Sequence, residues 1–183
     1  MSKFTQPLRA TFEAEHAKLT ALSKQLFDQL YEEFGALDKR LASYNEQIAA
    51  CAAAPPVCQR LETIPGIGPL TATAVIAAVS EAAHFQKGRQ FAAWVGLVPR
   101  QHATGGKARL LGISKRGNVY LRTLLVHGAR ATLRWIGVKT DQRSQWLRAL
   151  MTRRGQNKAA VALANKNARL AWVLLSSDQT STA

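Results

Sequence analysis

Apolar residues recur at steps of three or four along the first part of the chain: Leu19, Leu22, Leu26, Leu30, Phe34, Leu37, Leu41, Tyr44 and Ile48. That period lines them up on one side of a helix and predicts helix over 6–50, its last part in heptad steps. The other side carries Glu32, Glu33, Asp38, Lys39 and Arg40 and is solvated. Gly35 is the point where this helix would kink or split. A narrow seam between charged flanks suits a helical hairpin or a coiled coil, including a dimer contact. Packing onto the chain's own core fits the same pattern equally well.

Pro55-Pro56 cannot continue a helix and marks a boundary. Beyond it the pattern predicts short helices over 57–63, from Leu70 to Val79 and from Gly88 to Val95. The stretch from Gly96 to Ile113 is glycine-rich and alternates poorly, which predicts a loop or a small hairpin. Ser114 is the expected N-cap of a helix running to Trp135, with Leu121, Leu124, Leu125 and Ala129 inward. Two more helices are expected over 141–153, with Trp146, Leu147 and Leu150 inward, and over 157–175, through Val161, Leu163, Ala164, Leu170 and Val173. The polar end from Ser176 is expected to fray. Trp94, Trp135, Trp146 and Trp172 have apolar neighbours and read as core, as does His127.

Charge changes this picture of an ordinary helical domain. From Met1 to Glu81 there are 7 Lys+Arg and 9 Asp+Glu, a balance of −2; from Ala82 to Ala183 there are 18 and 2, a balance of +16. A solvated surface would mix the signs. A one-sided field repels itself unless a polyanion is the partner, which points to nucleic acid. A membrane surface is the weaker rival, because the cations are spread over several segments. No run of about 18 apolar residues spans a bilayer, and the N-terminus has no signal-peptide pattern. Cys51, Cys58 and four scattered histidines form neither a disulfide framework nor a metal-ligand spacing. Both cysteines read as inert, and the expected location is the cytoplasm.

Three segments carry candidate chemistry. In Ile64-Pro65-Gly66-Ile67-Gly68, Gly66 and Gly68 allow a sharp turn, and the next helix would aim free N–H groups over it. This has the form of a helix-hairpin-helix, a phosphate grip needing no side-chain charge. A glycine turn between packed helices accounts for the same residues. The second segment sets Arg100, Lys107 and Arg109 around one hydroxyl, Thr104, beside Gly105-Gly106. A hydroxyl attacks a phosphate only where cations hold the phosphate and a base takes the proton; a mobile basic loop is the plainer reading. In the third, Lys115 and Arg116 would fall in the first turn after Ser114, where cations oppose the helix dipole unless an anion binds. Arg122 follows on the same helix. Lys139, Arg143, Arg148, Arg153, Arg154, Lys158, Lys166 and Arg169 extend the basic field as phosphate contacts that carry no sequence information.

Ile-Pro-Gly-Ile-Gly-Pro-Leu-Thr-Ala (64–72), Phe-Ala-Ala-Trp-Val-Gly-Leu-Val-Pro-Arg (91–100), Thr-Gly-Gly-Lys (104–107), Ile-Ser-Lys-Arg-Gly-Asn (113–118) and Ala-Asn-Lys-Asn-Ala-Arg (164–169) stand in this order. Together they resemble the C-terminal domain of insertion-sequence transposases of the IS110 family, its IS1111 subgroup in particular, over about 57–175. The resemblance implies an N-terminal RuvC-like nuclease domain with acidic residues and its divalent metal, a coiled-coil arm, and this domain. It implies DNA recombination directed by a guide RNA, with a serine of this domain as nucleophile. By position that serine falls at Thr104, or at Ala103 if the alignment shifts by one, and neither is Ser. Thr keeps the hydroxyl but adds a methyl that restricts χ1.

The fold expected is therefore mainly α. A helical arm or coiled coil (1–54) precedes a compact helical domain (55–176) with a helix-hairpin-helix and a Gly-rich basic loop, and a disordered tail (177–183) follows. The expected function is the DNA-binding C-terminal part of a transposase acting in DNA transposition by phosphoryl transfer, with a catalytically silent binding remnant as the alternative. Thr104 is the candidate nucleophile. Gly66, Gly68, Arg100, Lys107, Arg109, Lys115, Arg116 and Arg122 are the candidate nucleic-acid contacts. Double-stranded DNA, a guide RNA and a second copy through the arm are the expected partners, without a membrane, in a cytoplasmic, nucleoid-associated protein. No cofactor is expected in this chain, and the RuvC-like domain with its metal is expected to be missing from it.

Overall fold

A computed structural model describes residues 11, 14, 19–78, 85–104 and 107–181, with 104, 107, 108 and 177–181 described by their backbone alone. The chain divides into two compact units, Met1–Ala50 and Cys51–Ala183. The described residues form seven α-helices and one two-stranded sheet, so the fold is mainly α, as the apolar periodicity predicts.

Helix α1 (Ala21–Ala53) makes up most of the first unit. Thr20 caps it, its Oγ1 accepting from the backbone N–H of Ser23 at 3.2 Å. The helix runs unbroken through Gly35, where an added Cβ would meet open space. Leu22, Leu26, Leu30, Phe34, Leu37, Leu41 and Tyr44 of the apolar stripe are all exposed. Most of the expected helix before Ala21 lies outside the described residues.

In the second unit follow α2 (Pro56–Glu62), α3 (Pro69–Ala77), α4 (Gly88–Trp94), β1 (Pro99–Thr104), β2 (Lys107–Ile113), α5 (Val119–Leu133), a 3-10 turn (Ile136–Val138), α6 (Gln142–Arg154) and α7 (Gln156–Ser181). Helix α7 is the centre and packs against α2, α4, α5 and α6. Ala159, Ala160, Leu163, Ala164, Ala168, Ala171 and Leu175 form its buried face. Alanine is the best helix former and lets neighbouring backbones come close. The backbone of α7 continues past the expected end near 175 and through most of the expected tail, because adding one residue to an existing helix needs no new nucleus.

Two asparagines of α7 reach distant loops. The Asn167 side chain, fully buried, donates from Nδ2 to Pro65 O at 2.9 Å, and Asn165 Nδ2 donates to Leu97 O at 3.2 Å. The Pro65 turn is thus tied into the core. Gly66 has φ +94, and a Cβ there would sit 2.7 Å from Gly128 O and 2.8 Å from Thr132 Oγ1 of α5. In return, a Cβ on Gly128 would collide with Gly66 O. The α2–α3 turn and α5 therefore touch backbone to backbone.

The start of α5 departs from expectation. Asn118, not Ser114, is the N-cap, with its side chain accepting from Leu121 N at 3.0 Å. Lys115 (φ 56) and Gly117 (φ 81) lie in the left-handed region, which a right-handed helix excludes, so the helix begins only beyond them. Lys115 and Arg116 are consequently outside the first turn, and the expected conflict with the helix dipole does not arise. This bend is locked onto the end of α4. A Cβ on Gly96 would strike Arg116 O and one on Gly117 would strike Trp94 O. Lys115 N donates to Gly96 O at 3.2 Å. Arg122 secures the junction, its Nη1 donating to Val95 O at 2.9 Å and to Arg116 O at 3.2 Å.

Several side chains read as core are not. Trp135 is 69% exposed and Trp146 37%, while His127 and Val173 are also exposed. The turn after α5 rotates Trp135 outward and buries Ile136 instead; Arg148 Nη1 holds that turn by donating to Ile136 O at 2.8 Å and Lys139 O at 2.6 Å. Trp94 and Trp172 are half-buried: Phe85, Phe91 and Trp94 cluster at 5.6–5.8 Å between ring centroids, and Trp172 Nε1 donates to Phe85 O at 3.1 Å.

Three stability outcomes follow. Gly→Ala inside a helix ordinarily stabilises by roughly 0.8–1 kcal/mol. Gly128→Ala should instead destabilise by about 1–3 kcal/mol, because its methyl overpacks the Gly66 turn, whereas Gly137→Ala, with open space around it, should stay within about 0.5 kcal/mol. Urea unfolding midpoints decide both, and an unchanged midpoint for Gly128→Ala would refute the close approach. Arg122→Ala leaves the Val95 and Arg116 carbonyls without their donor and should lower unfolding free energy by about 1–3 kcal/mol.

Candidate nucleic-acid interface

The hairpin follows from its sequence. Its strands pair antiparallel from Pro99↔Ile113 to Thr104↔Lys107, which leaves only Gly105 and Gly106, outside the described residues, to connect them. The expected glycine-rich basic loop is thus a β-hairpin. Between Pro99↔Ile113 and Gln101↔Leu110, β1 advances two residues while β2 advances three, so β2 carries a bulge at Leu111-Gly112. A bulge re-aims neighbouring side chains. Leu110, Leu111 and Ile113 all line one cleft, where a regular strand would turn alternate residues away. The root of the hairpin is closed by Ser114 N donating to Val98 O at 2.8 Å.

That cleft, about 1480 Å³, is walled by the start of α4, the hairpin, Trp146 of α6 and the outer face of α7. Its cations are Lys87, Arg89, Lys115, Lys158, Lys166 and Arg169, and no acidic residue lines it. Local structure explains each position. Gln90 Oε1 accepts from the backbone N–H of Gln86 at 2.8 Å and of Lys87 at 3.3 Å, which fixes the entry into α4 and sets Lys87 and Arg89 beside the cleft. Gly88 fits against α7, where a Cβ would lie 3.1 Å from Arg169 O. Gly155 (φ 81) turns the chain from α6 into α7, so the first turn of α7 opens here with Asn157 and Lys158. The positive end of that helix dipole adds to the cationic field. Lys166 Nζ lies 5.1 Å from the Trp146 ring centroid, a cation–π contact. Six cations around one hollow repel one another, and a polyanion relieves that repulsion.

Of Thr104 and the eight candidate contacts named with it from sequence, the cleft takes in Lys115 alone. Arg100 and Arg109 are exposed on the hairpin strands, outside the cleft lining. Thr104 and Lys107 face each other at the last paired position by their backbones, and their side chains lie outside the described ones. Arg116 is exposed on the bend after β2. Arg122 is half-buried with its Nη1 engaged by backbone carbonyls. Gly66 is turned toward α5, while Gly68 precedes α3 with open space around it. Lys87 and Arg89 carry no signal in the sequence that singles them out. Lys158, Lys166 and Arg169 were visible there as part of a basic field, and their spacing of eight and three places them on one side of α7, opposite its alanines.

Other chemistry is weakly represented. Cys58 is buried, and burial first, then the Glu62 carboxylate, push its thiol up, away from the reactive thiolate. Asp141 caps α6, and its hydrogen bond from the Ser144 hydroxyl at 2.6 Å holds its carboxyl below the usual range. The described residues contain no group of three or more His, Cys, Asp or Glu able to hold a metal ion, so the metal implied by the resemblance has no ligand set among them. Nor is any helix of the described residues long and apolar enough to cross a membrane.

Residues 58–150 match the family model described as Transposase IS116/IS110/IS902 family. The chain is 49% identical over 178 residues to the transposase for insertion sequence element IS1111A of Coxiella burnetii, covering 97% of this chain and 49% of that protein. It is 52% identical over 169 residues to a probable family 20 transposase of Pseudomonas aeruginosa, covering 92% and 50%. With the transposase for IS1328 of Yersinia enterocolitica it shares 38% over 165 residues, covering 90% and 49%. The chain spans about half the length of these curated relatives. The glycine turn, the hairpin and the bend that locks α4 to α5 all fall inside the matched region, and the chain belongs to the IS116/IS110/IS902 family of transposases.

Proposed function

We propose that this chain is the polynucleotide-gripping part of an insertion-sequence transposase and acts in DNA transposition by phosphoryl transfer. The observation that carries the reading is the cleft, where six cations from three segments converge with no acidic residue among its lining. Backbone phosphates of DNA supply the missing negative charge. Arg100 and Arg109 of the hairpin, with Arg116 on the bend, add to the same field, and Lys107, paired with Thr104 across the hairpin, is taken as a further phosphate contact. In the reaction the Thr104 hydroxyl gives its proton to a base as Oγ1 bonds to phosphorus, the bond from phosphorus to the bridging deoxyribose oxygen breaks, that oxygen leaves with the electron pair and takes up the proton the base received, and the cations hold the non-bridging oxygens. The RuvC-like domain, with its metal, and a guide RNA complete this reading, and so does a second copy paired along the exposed stripe of α1. Such a protein works at the nucleoid in the cytoplasm. The silent-module reading draws support from one residue: Thr104 is β-branched where the family pattern has serine, and its methyl crowds in-line attack.

Salt titration tests the grip. On duplex DNA each neutralised phosphate contributes about −0.9 to the slope of log affinity against log salt. Replacing Lys158, Lys166 and Arg169 together by Gln should flatten that slope by up to about 2.7; a wild-type slope near zero sinks the proposal. Covalent trapping tests the nucleophile. With the RuvC-like domain supplied, the protein–DNA adduct should vanish in Thr104→Ala and increase in Thr104→Ser, and an adduct that survives Thr104→Ala removes this residue from the chemistry.

A further inference from the structure

Phosphate binding explains the cations of the cleft but not its floor. Between the charged side chains lie Leu97, Leu110, Leu111, Trp146, Leu170 and Val173. Leu110 is 67% exposed, Val173 49% and Leu111 43%. Trp146 keeps more than a third of its surface open even with the Lys166 ammonium over its ring. A duplex has little to offer such a floor, since it presents phosphates outward and stacks its base faces inside. Water is a poor cover for it, and exposed apolar surface in a concave site marks a ligand with apolar parts. The occupant must combine a polyanionic backbone with flat apolar groups free to leave a stack. The cleft volume of about 1480 Å³ also exceeds the roughly 300–1,000 Å³ typical of small-molecule sites, which favours several linked units over one.

We infer that the cleft binds an unpaired polynucleotide strand, with a base stacked on Trp146 and its phosphates held by Lys158, Lys166 and Arg169. This rests on the nucleic-acid reading above and narrows it to single-stranded segments, whether DNA opened during strand exchange or an RNA. Aromatic stacking plus a cationic track is the general design of single-strand sites, and each stacked base contributes about 1–3 kcal/mol on alanine substitution. Arginine and lysine near the ring add to the attraction for an electron-rich, anionic partner.

The test uses the whole chain with fluorescent oligo-dT and oligo-U of about 12 nucleotides and a duplex of the same length. Trp146→Ala should weaken binding of the single strands by about 5- to 100-fold and leave duplex affinity within about twofold. Whichever single strand loses more identifies the source of the occupant. Trp146→Phe keeps an aromatic face and should retain most of the single-strand affinity while losing the part of the tryptophan quenching that wild type shows on titration with oligo-dT. That second variant reads the site even if Trp146→Ala folds poorly. Equal losses on duplex and single strands, or quenching unchanged in Trp146→Phe, overturn the inference and leave the general DNA grip standing. Failure of every probe to bind at low salt defeats both.

Discussion

Two side-chain amides on one helix set the geometry on which the rest of the second unit relies. Asn165 and Asn167 of α7 each donate to a loop carbonyl far away in sequence, Leu97 O and Pro65 O. A hydrogen bond of this kind contributes only about 1 kcal/mol net, but a buried carbonyl left without a donor costs about 1–3 kcal/mol. The amides therefore select a position more than they add stability. With Pro65 fixed, Gly66 meets Gly128, and no side chain fits between the turn and α5. With Leu97 fixed, the root of the hairpin and the end of α4 are held against α7. The same helix then turns Lys158, Lys166 and Arg169 outward into the cleft. Core and interface are opposite sides of one helix, and its buried alanines are what allow the walls to stand so near.

Much of this was legible from residue order. The Pro55-Pro56 break falls where α1 ends, each expected helix exists, and the glycine-rich segment, expected as a loop or a small hairpin, is a hairpin. The failures share a cause. Ser114 looked like a cap because serine before a helical pattern usually is one, but the positive φ at Lys115 and Gly117 comes from the fit against α4, a partner about twenty residues upstream. For Trp135, Trp146 and His127, apolar neighbours in the chain predict burial. The exposure of Trp135 and Trp146 depends on how a 3-10 turn and a cleft orient them, and that of His127 on which side of α5 is packed; local composition carries no trace of either.

The interface was half legible for a similar reason. Electrostatic asymmetry is a sum over residues and survives without coordinates, so a polyanionic partner could be argued from charge alone. Convergence is not a sum. Lys87 and Arg89 look unremarkable in sequence, and only the fold of α4 onto α7 gathers them with Lys166 and Arg169. Arg122 shows the opposite case: its charge counts toward the basic field while its guanidinium serves the backbone of a junction.

The way the hairpin is rooted has a further consequence. Its two strands are tied to the body by the Ser114–Val98 and Lys115–Gly96 contacts at one end, and the described strand side chains beyond Pro99 are exposed until Gly112. Length can therefore be added near the tip without touching any helix. A pair of residues on each strand would carry the tip roughly 7 Å farther at about 3.4 Å per residue, with every face preserved. A single residue on each strand would exchange the two faces. The hairpin is in this sense a ruler with a coarse scale: its reach can change in even steps while the body that bears it stays the same.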